Sequence, residues 1–205
     1  YPVLLSTRDN GSMITSFPFL NQFNYVIVIV EINDIARLID FSDPLLKPGI
    51  IREEALNGLG FMVHDDAPAW ITLGLPPVQD VFAWNGEITS EGTLIGEMKA
   101  TMNTLSAKAD RQRMLTHSIE DIWTQRLPNG GSWRELTANN QDDIREDLSI
   151  QGKFEVPEAG FANEDFLYVS PFIHTNFFEN PFQQESRNYP VNFPYAFEER
   201  SVYQY

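Results

Sequence analysis

The sequence of 205 residues contains no cysteine, and this absence removes several kinds of chemistry at once. Without thiols the chain has no disulfide, no thiolate ligand for a metal ion and no cysteine nucleophile. It also lacks a glycine-rich phosphate loop and a G-x-S-x-G nucleophile elbow. The residues therefore show neither the signature of a nucleotide-binding enzyme nor that of a serine hydrolase.

Basic residues and long apolar runs are also scarce. Fourteen Lys and Arg stand against 29 Asp and Glu, which gives a formal net charge of -15. A chain this acidic repels phosphate backbones and anionic lipid, so nucleic acids and membrane surfaces are poor partners. The longest apolar run, 25–30, is far shorter than the roughly 20 residues that cross a bilayer.

What the sequence does contain is enough apolar side chain for a core, arranged mainly as strands. Hydrophobic residues make up 42% of the chain and include 15 Phe. The β-branched run 25–30 predicts a strand buried on both faces. Asn33-Asp34 predicts a tight turn, after which 36–40 pairs back as the second strand of a hairpin.

The dipeptide Pro76-Pro77 is the best linker candidate and divides the chain into two predicted domains, 1–75 and 76–205. We expect an α+β, mainly β protein: an antiparallel sheet in the first domain and a β-sandwich-like second domain. One long helix is predicted over 106–126, because one apolar stripe at helical spacing includes Leu115, Ile119, Ile122 and Trp123. The chain begins and ends within predicted strands, so we expect it to be a piece of a longer polypeptide.

The polar residues suggest no metal site of recognised spacing, and we predict neither a metal nor a cofactor. The three histidines, His64, His117 and His174, share no ligand spacing. The segment 139–147 is rich in oxygen-bearing side chains but lacks the alternation and the central glycine of a calcium loop. A solvated loop or a helix N-terminus is the favoured interpretation, and calcium at Asp142 and Asp143 stays an open alternative.

A set of aromatic residues near the end of the chain has two interpretations. Such a set in 177–197, where the sequence is rich in Phe, Pro and Asn, usually pins an irregular segment to a sheet. The alternative is a glycan-stacking surface, for which the candidate binding residues are Tyr189, Phe193 and Tyr195.

Several short stretches, taken in order, carry a resemblance to a known group of proteins. They are Tyr1–Arg8, Leu20–Asn24, the hairpin Asn24–Val28 with Leu38–Pro44, Leu56–Gly60, and a tail with Asn180–Phe182, Arg187, Tyr189–Phe193 and Phe197-Glu198. The chain resembles the C-terminal part of exported bacterial multi-domain proteins that have a transglutaminase-like, papain-type core and a C-terminal β-domain of unknown function. The resemblance covers nearly the whole chain and is strongest over 1–60 and 179–198.

The resemblance implies a catalytic site that is incomplete in this sequence. In the family a Cys on an upstream helix works with a His that begins one strand and an Asp that ends the next. The Cys position lies before Tyr1, the His position falls on Tyr25, and only Asp40 keeps the orienting acid. A phenol, with a pKa of about 10, does not replace imidazole as a base near neutral pH. No histidine lies between residues 1 and 63, so a small shift in alignment does not restore the site.

Three functional hypotheses follow. The leading one is a pseudoenzyme: a non-catalytic segment of an exported protein, periplasmic or at the cell surface as the resemblance implies. It would have a structural or binding role toward protein or polysaccharide and be attached to upstream domains of the same polypeptide. The second is part of a thiol-dependent amide hydrolase or acyl transferase whose Cys lies upstream. The third is an independent glycan-binding β-domain. Because an uncovered sheet invites association, a homodimer is a further expectation.

Overall fold

A computed structural model describes residues 1–17, 19–128, 130–162, 166–169, 173, 182–186, 188 and 190–205. By their contacts these residues form two compact units. Unit 1 comprises 1–79, 103–108 and 193–198, and unit 2 comprises 80–102, 109–192 and 199–205. The elements, in chain order, are β1 Pro2–Leu5, β2 Tyr25–Ile32, β3 Ile35–Ile39, β4 Leu59–Met62, β5 Ala69–Thr72, β6 Val78–Ile88, β7 Leu94–Met102, α1 Thr104–Met114, α2 Ile119–Thr124, β8 Ser132–Asn139, β9 Leu148–Val156, β10 Gly160–Ala162, β11 Leu167–Val169 and β12 Phe197–Gln204.

Unit 1 is built on a five-stranded antiparallel sheet with the order β3-β2-β1-β4-β5. The predicted hairpin is confirmed: β2 and β3 pair from Val28 opposite Ile39 to Ile32 opposite Ile35. Asn33 and Asp34 both have positive φ, 52° and 60°, as a two-residue hairpin turn of this hand requires. The turn places the start of β2 and the end of β3 at the same end of the sheet.

The two faces of this sheet differ in burial. On the inner face Val3, Leu5 and Ile27 are buried against Ile50 and Ile51 of the segment that follows β3. The prediction that the strand 25–30 is buried on both faces is wrong, because Val26 on the other face of the sheet is 55% exposed. We call that face the outer face of unit 1; by strand alternation and register it carries Pro2, Leu4, Val26, Val28, Val30, Ile32, Ile35, Arg37, Ile39, Leu59, Phe61, Trp70 and Thr72.

Unit 2 contains a second five-stranded sheet, ordered β12-β6-β7-β9-β8, and a β10–β11 ribbon. Its inner face carries an aromatic cluster in which Trp84 contacts Phe154, with ring centroids 5.3 Å apart. Trp123 of α2 packs on the same cluster against Phe82 and Trp133, at 6.4 and 6.3 Å. A helix, rather than a second large sheet, therefore covers part of this face in the described residues, and the mainly β, α+β fold class is confirmed.

The helix predicted over 106–126 is two helices. α1 ends at Met114, and α2 begins at Ile119 after Ser118, whose hydroxyl accepts a hydrogen bond from the Asp121 amide at 3.1 Å. This N-cap starts a new helix within the apolar stripe, and Leu115 is exposed in the connection. None of the described helices is long and apolar enough to cross a membrane.

Candidate functional site

The hairpin of unit 1 brings Tyr25 and Asp40 together. Tyr25 is the first residue of β2, and Asp40 directly follows the last residue of β3. The Tyr25 hydroxyl lies 2.8 Å from Asp40 Oδ1, and the Asp40 carboxylate is buried. The two residues singled out from the sequence thus occupy one site, with the phenol bonded to the carboxylate.

Ser42 completes a triangle of oxygens with these two residues. Its Oγ lies 2.6 Å from Asp40 Oδ1 and 2.6 Å from the Tyr25 hydroxyl, while its amide donates to Asp40 Oδ1 at 3.1 Å. These three oxygen atoms make three short contacts with one another. When Asp40 is ionised, only the hydroxyls of Tyr25 and Ser42 supply protons for them. The arrangement satisfies Oδ1 when both hydroxyls donate to the carboxylate.

Arg52 closes the site from the other side. Its amide donates to Asp40 Oδ2 at 3.2 Å, its Nη2 donates to Ser42 Oγ at 2.6 Å, and its Nε lies 3.8 Å from Asp40 Oδ2. The guanidinium carbon lies 4.9 Å from the centre of the Tyr25 ring, a cation–π distance. Arg52 reaches this position because the preceding Ile50 and Ile51 are buried in the core of unit 1.

The electrostatics of the site favour an ionised carboxylate and a neutral phenol. Burial alone would raise the pKa of Asp40, but hydrogen bonds from Ser42, Tyr25 and the Arg52 amide outweigh it and hold that pKa below its ordinary value. Burial raises the pKa of the Tyr25 phenol, and the Asp40 carboxylate adds to this effect. Near neutral pH, therefore, Tyr25 keeps its proton and Asp40 carries a charge.

This arrangement provides no effective acceptor for the proton of a thiol. A general base needs a pKa near the working pH and free access to the proton that it removes. The Tyr25 phenol is already protonated. Asp40 has a lowered pKa, and its oxygens accept bonds from residues of the chain itself. The cluster of Tyr25, Asp40, Ser42 and Arg52 can join the end of the hairpin to the following segment.

No protein-family model, curated protein or solved structure matches the chain. The interpretation of the site therefore depends on its own geometry.

Two members of this cluster were not predicted as site residues. The Ser42 contact had a local signal, because an Asp commonly accepts a bond from the amide two residues later. Arg52 had none: it is 12 residues from Asp40, and only the burial of the intervening segment brings it close.

The predicted aromatic binding residues do not form one described surface. Tyr195 packs against the apolar core of unit 1, whereas Phe193 is 74% exposed. Tyr189 lies outside the described residues. Glycan binding by these three side chains stays a prediction.

The oxygen-rich segment 139–147 surrounds an arginine from the same unit. The buried Arg111 side chain donates through Nη2 to the carbonyl oxygens of Asn140, Asp143 and Glu146, at 2.8, 3.0 and 2.8 Å. The Asp143 carboxylate is bonded by Arg145, and these bonds lower its pKa to about 2. Among the described residues no group of three or more His, Asp or Glu could hold a metal ion. His174 lies outside them.

Proposed function

We propose that this chain is a non-catalytic segment of an exported transglutaminase-like protein, with a structural and binding role. The observation that carries the proposal is the bond between Tyr25 and Asp40, at the two positions where the resemblance implies the catalytic His and its orienting Asp. A phenol in place of the imidazole leaves a thiol without a base. The carboxylate then serves to hold Tyr25, Ser42 and Arg52 in place.

The outer face of unit 1 supports the binding part of the proposal. Val26, Ile32 and Ile35 are 55%, 57% and 54% exposed, and Arg37 is the one charged residue on that face. Contiguous apolar faces of this kind commonly mark interaction sites. We propose that upstream domains of the same polypeptide pack on it.

The experiment is an activity and thiol assay on the native protein from its source. Its intact mass is measured after brief alkylation, and incorporation of a labelled primary amine into a glutamine-containing peptide is followed. We expect no fast-reacting thiol and no amine incorporation, whether the mass is 23.5 kDa or larger. The Asp40→Ala variant should then change only stability.

The opposite outcome is equally specific. A heavier protein with one fast-reacting thiol, whose amine incorporation falls by about 100-fold or more in a folded Asp40→Ala variant, would establish the thiol-dependent enzyme instead. Circular dichroism of that variant separates loss of catalysis from loss of fold. Asp142→Ala, at an exposed acid of unit 2, is the control.

A further inference from the structure

The outer face of the unit 2 sheet carries a cleft that the proposed site does not use. It has a volume of about 500 Å³, lies over the central strands β6, β7 and β9, and reaches both edge strands, β12 and β8. A volume of this size suits a small ligand. The polar side chains that line it include Asn85, Glu97, Lys99, Gln151, Lys153 and Gln204.

The cleft continues into a second hollow where two strands approach closely. Gly86 lies opposite Gly96 across β6 and β7, and a Cβ at Gly86 would stand 2.9 Å from the carbonyl oxygen of Ile95. Glycines within strands mark such close approaches and bends of a sheet. The second hollow, of about 400 Å³, lies over this pair and shares Asn85, Glu97 and Lys153 with the first.

The charges in the cleft cancel, which is unusual for so acidic a chain. Its lining has two acidic residues, Glu97 and Glu135, and two basic ones, Lys99 and Lys153. Lys153 pairs with Glu135 at 2.7 Å. The whole chain, by contrast, has 29 acidic and 14 basic residues. The cleft therefore offers little net attraction to either an anionic or a cationic ligand.

The cleft instead offers amide groups that are available to a ligand. Within the described part of the chain, the side chains of Asn85, Gln151 and Gln204 make no hydrogen bond. Each amide presents both a carbonyl acceptor and an NH₂ donor. A sugar hydroxyl likewise both donates and accepts. An extended peptide would instead bind at a strand edge through its main chain, and most of this cleft lies over the middle of the sheet.

We propose that this cleft binds an uncharged oligosaccharide. The inference names the ligand class for the binding role proposed above and rests on that role. Amides of β6, β9 and β12 would bind the hydroxyls, and Glu97 and Lys99 of β7 would add charge-assisted hydrogen bonds.

The test is calorimetric titration of the full chain with cellohexaose, maltohexaose and chitohexaose. An oligogalacturonate and an uncharged decapeptide serve as comparison ligands. We expect at least one neutral hexasaccharide to bind, with a Kd that stays constant within about twofold between about 0.05 and 0.5 M NaCl. Gln151→Ala and Glu97→Gln should each raise that Kd about tenfold. Asn139→Ala, on the same face outside the cleft, should leave it unchanged.

The inference is overturned if no neutral hexasaccharide binds at about 10 mM, or if the variants bind as tightly as the parent chain. Preferential binding of the oligogalacturonate or the decapeptide would also overturn it. Neither result touches Tyr25 or Asp40, so failure here leaves the non-catalytic assignment intact. Amine incorporation by the native protein would overturn that assignment without affecting the titration.

Discussion

At the scale of single residues, Asp40 shows how a buried carboxylate is kept in a folded chain. Burying a charge is costly unless its oxygens are paired. Here two hydroxyls, two backbone amides and a guanidinium surround one carboxylate. Removal of that carboxylate would leave the backbone amides of Ser42 and Arg52 without their acceptor and the guanidinium without its counter-ion, so the site contributes to the stability of unit 1.

The pH dependence of stability tests this account of Asp40. Its folded pKa lies below the ordinary value of about 4, so its contribution is present above about pH 4 and is lost as the pH falls through the folded pKa. We expect Asp40→Asn to lower the free energy of unfolding by about 3 kcal/mol at pH 7. Urea titrations from about pH 7 to pH 2 should show this difference shrink only below about pH 4.

The exposed Asp142→Asn is the matched control, and its effect should stay within about 0.5 kcal/mol. An equally small effect of Asp40→Asn at pH 7, or a difference between parent and variant that persists at the acid end, would contradict the structural role.

At the scale of elements, local residue patterns explain which strands and helices could be predicted from the sequence and which could not. The hairpin was predictable because Asn33 and Asp34 tolerate positive φ and directly follow a β-branched run that predicts a strand. The helix break was also visible in principle: Ser118 and Asp121 have the spacing of an N-cap and its partner. The apolar stripe of Ile119, Ile122 and Trp123 obscured it, since apolar spacing does not require an unbroken helix.

The connection between β8 and β9 illustrates the remaining limit. The oxygen-rich composition of this connection is evident from the sequence. The cation that it surrounds could not be predicted, because Arg111 lies on α1, 29 residues before Asn140. Contacts of this range depend on tertiary packing. For the same reason the exposure of the outer face of each sheet could not be predicted, since alternation along a strand does not identify what covers each face.

The Arg111 contacts lead to a prediction for this connection. Arg111→Met removes the donor to three carbonyl oxygens, and we expect it to lower the free energy of unfolding by about 3 kcal/mol. Arg113→Met, at an exposed arginine of the same helix, should cost less than about 0.5 kcal/mol. Urea unfolding measures both changes. A chelator should not shift the melting temperature of the parent chain, and a clear drop would favour calcium instead.

At the scale of the whole molecule, the dominant contrast is between a large negative charge and an apolar outer face on unit 1. A net charge of -15 opposes association at long range. The apolar face favours it at contact, because burying apolar surface is worth about 25 cal/mol per Å². When no upstream domain covers that face, we expect a second copy of the chain to do so.

Light scattering coupled to gel filtration tests this expectation. The isolated chain should elute with a mass above 23.5 kDa, and Val26→Glu should return it to that mass. Val81→Glu, on the outer face of the unit 2 sheet and 42% exposed, provides a control that changes charge equally. A parent chain that is monodisperse at 23.5 kDa would rule out dimerisation through this face.

The carbonyl cage around Arg111 has a consequence for how the β8–β9 connection responds to its surroundings. A loop that is ordered by a bound metal ion loses that ion when its concentration falls, so the order of such a loop depends on the solvent. Here the cation is covalently part of α1, and dilution cannot remove it. We therefore expect the loop and the helix to gain or lose order together, as one cooperative segment of the polypeptide.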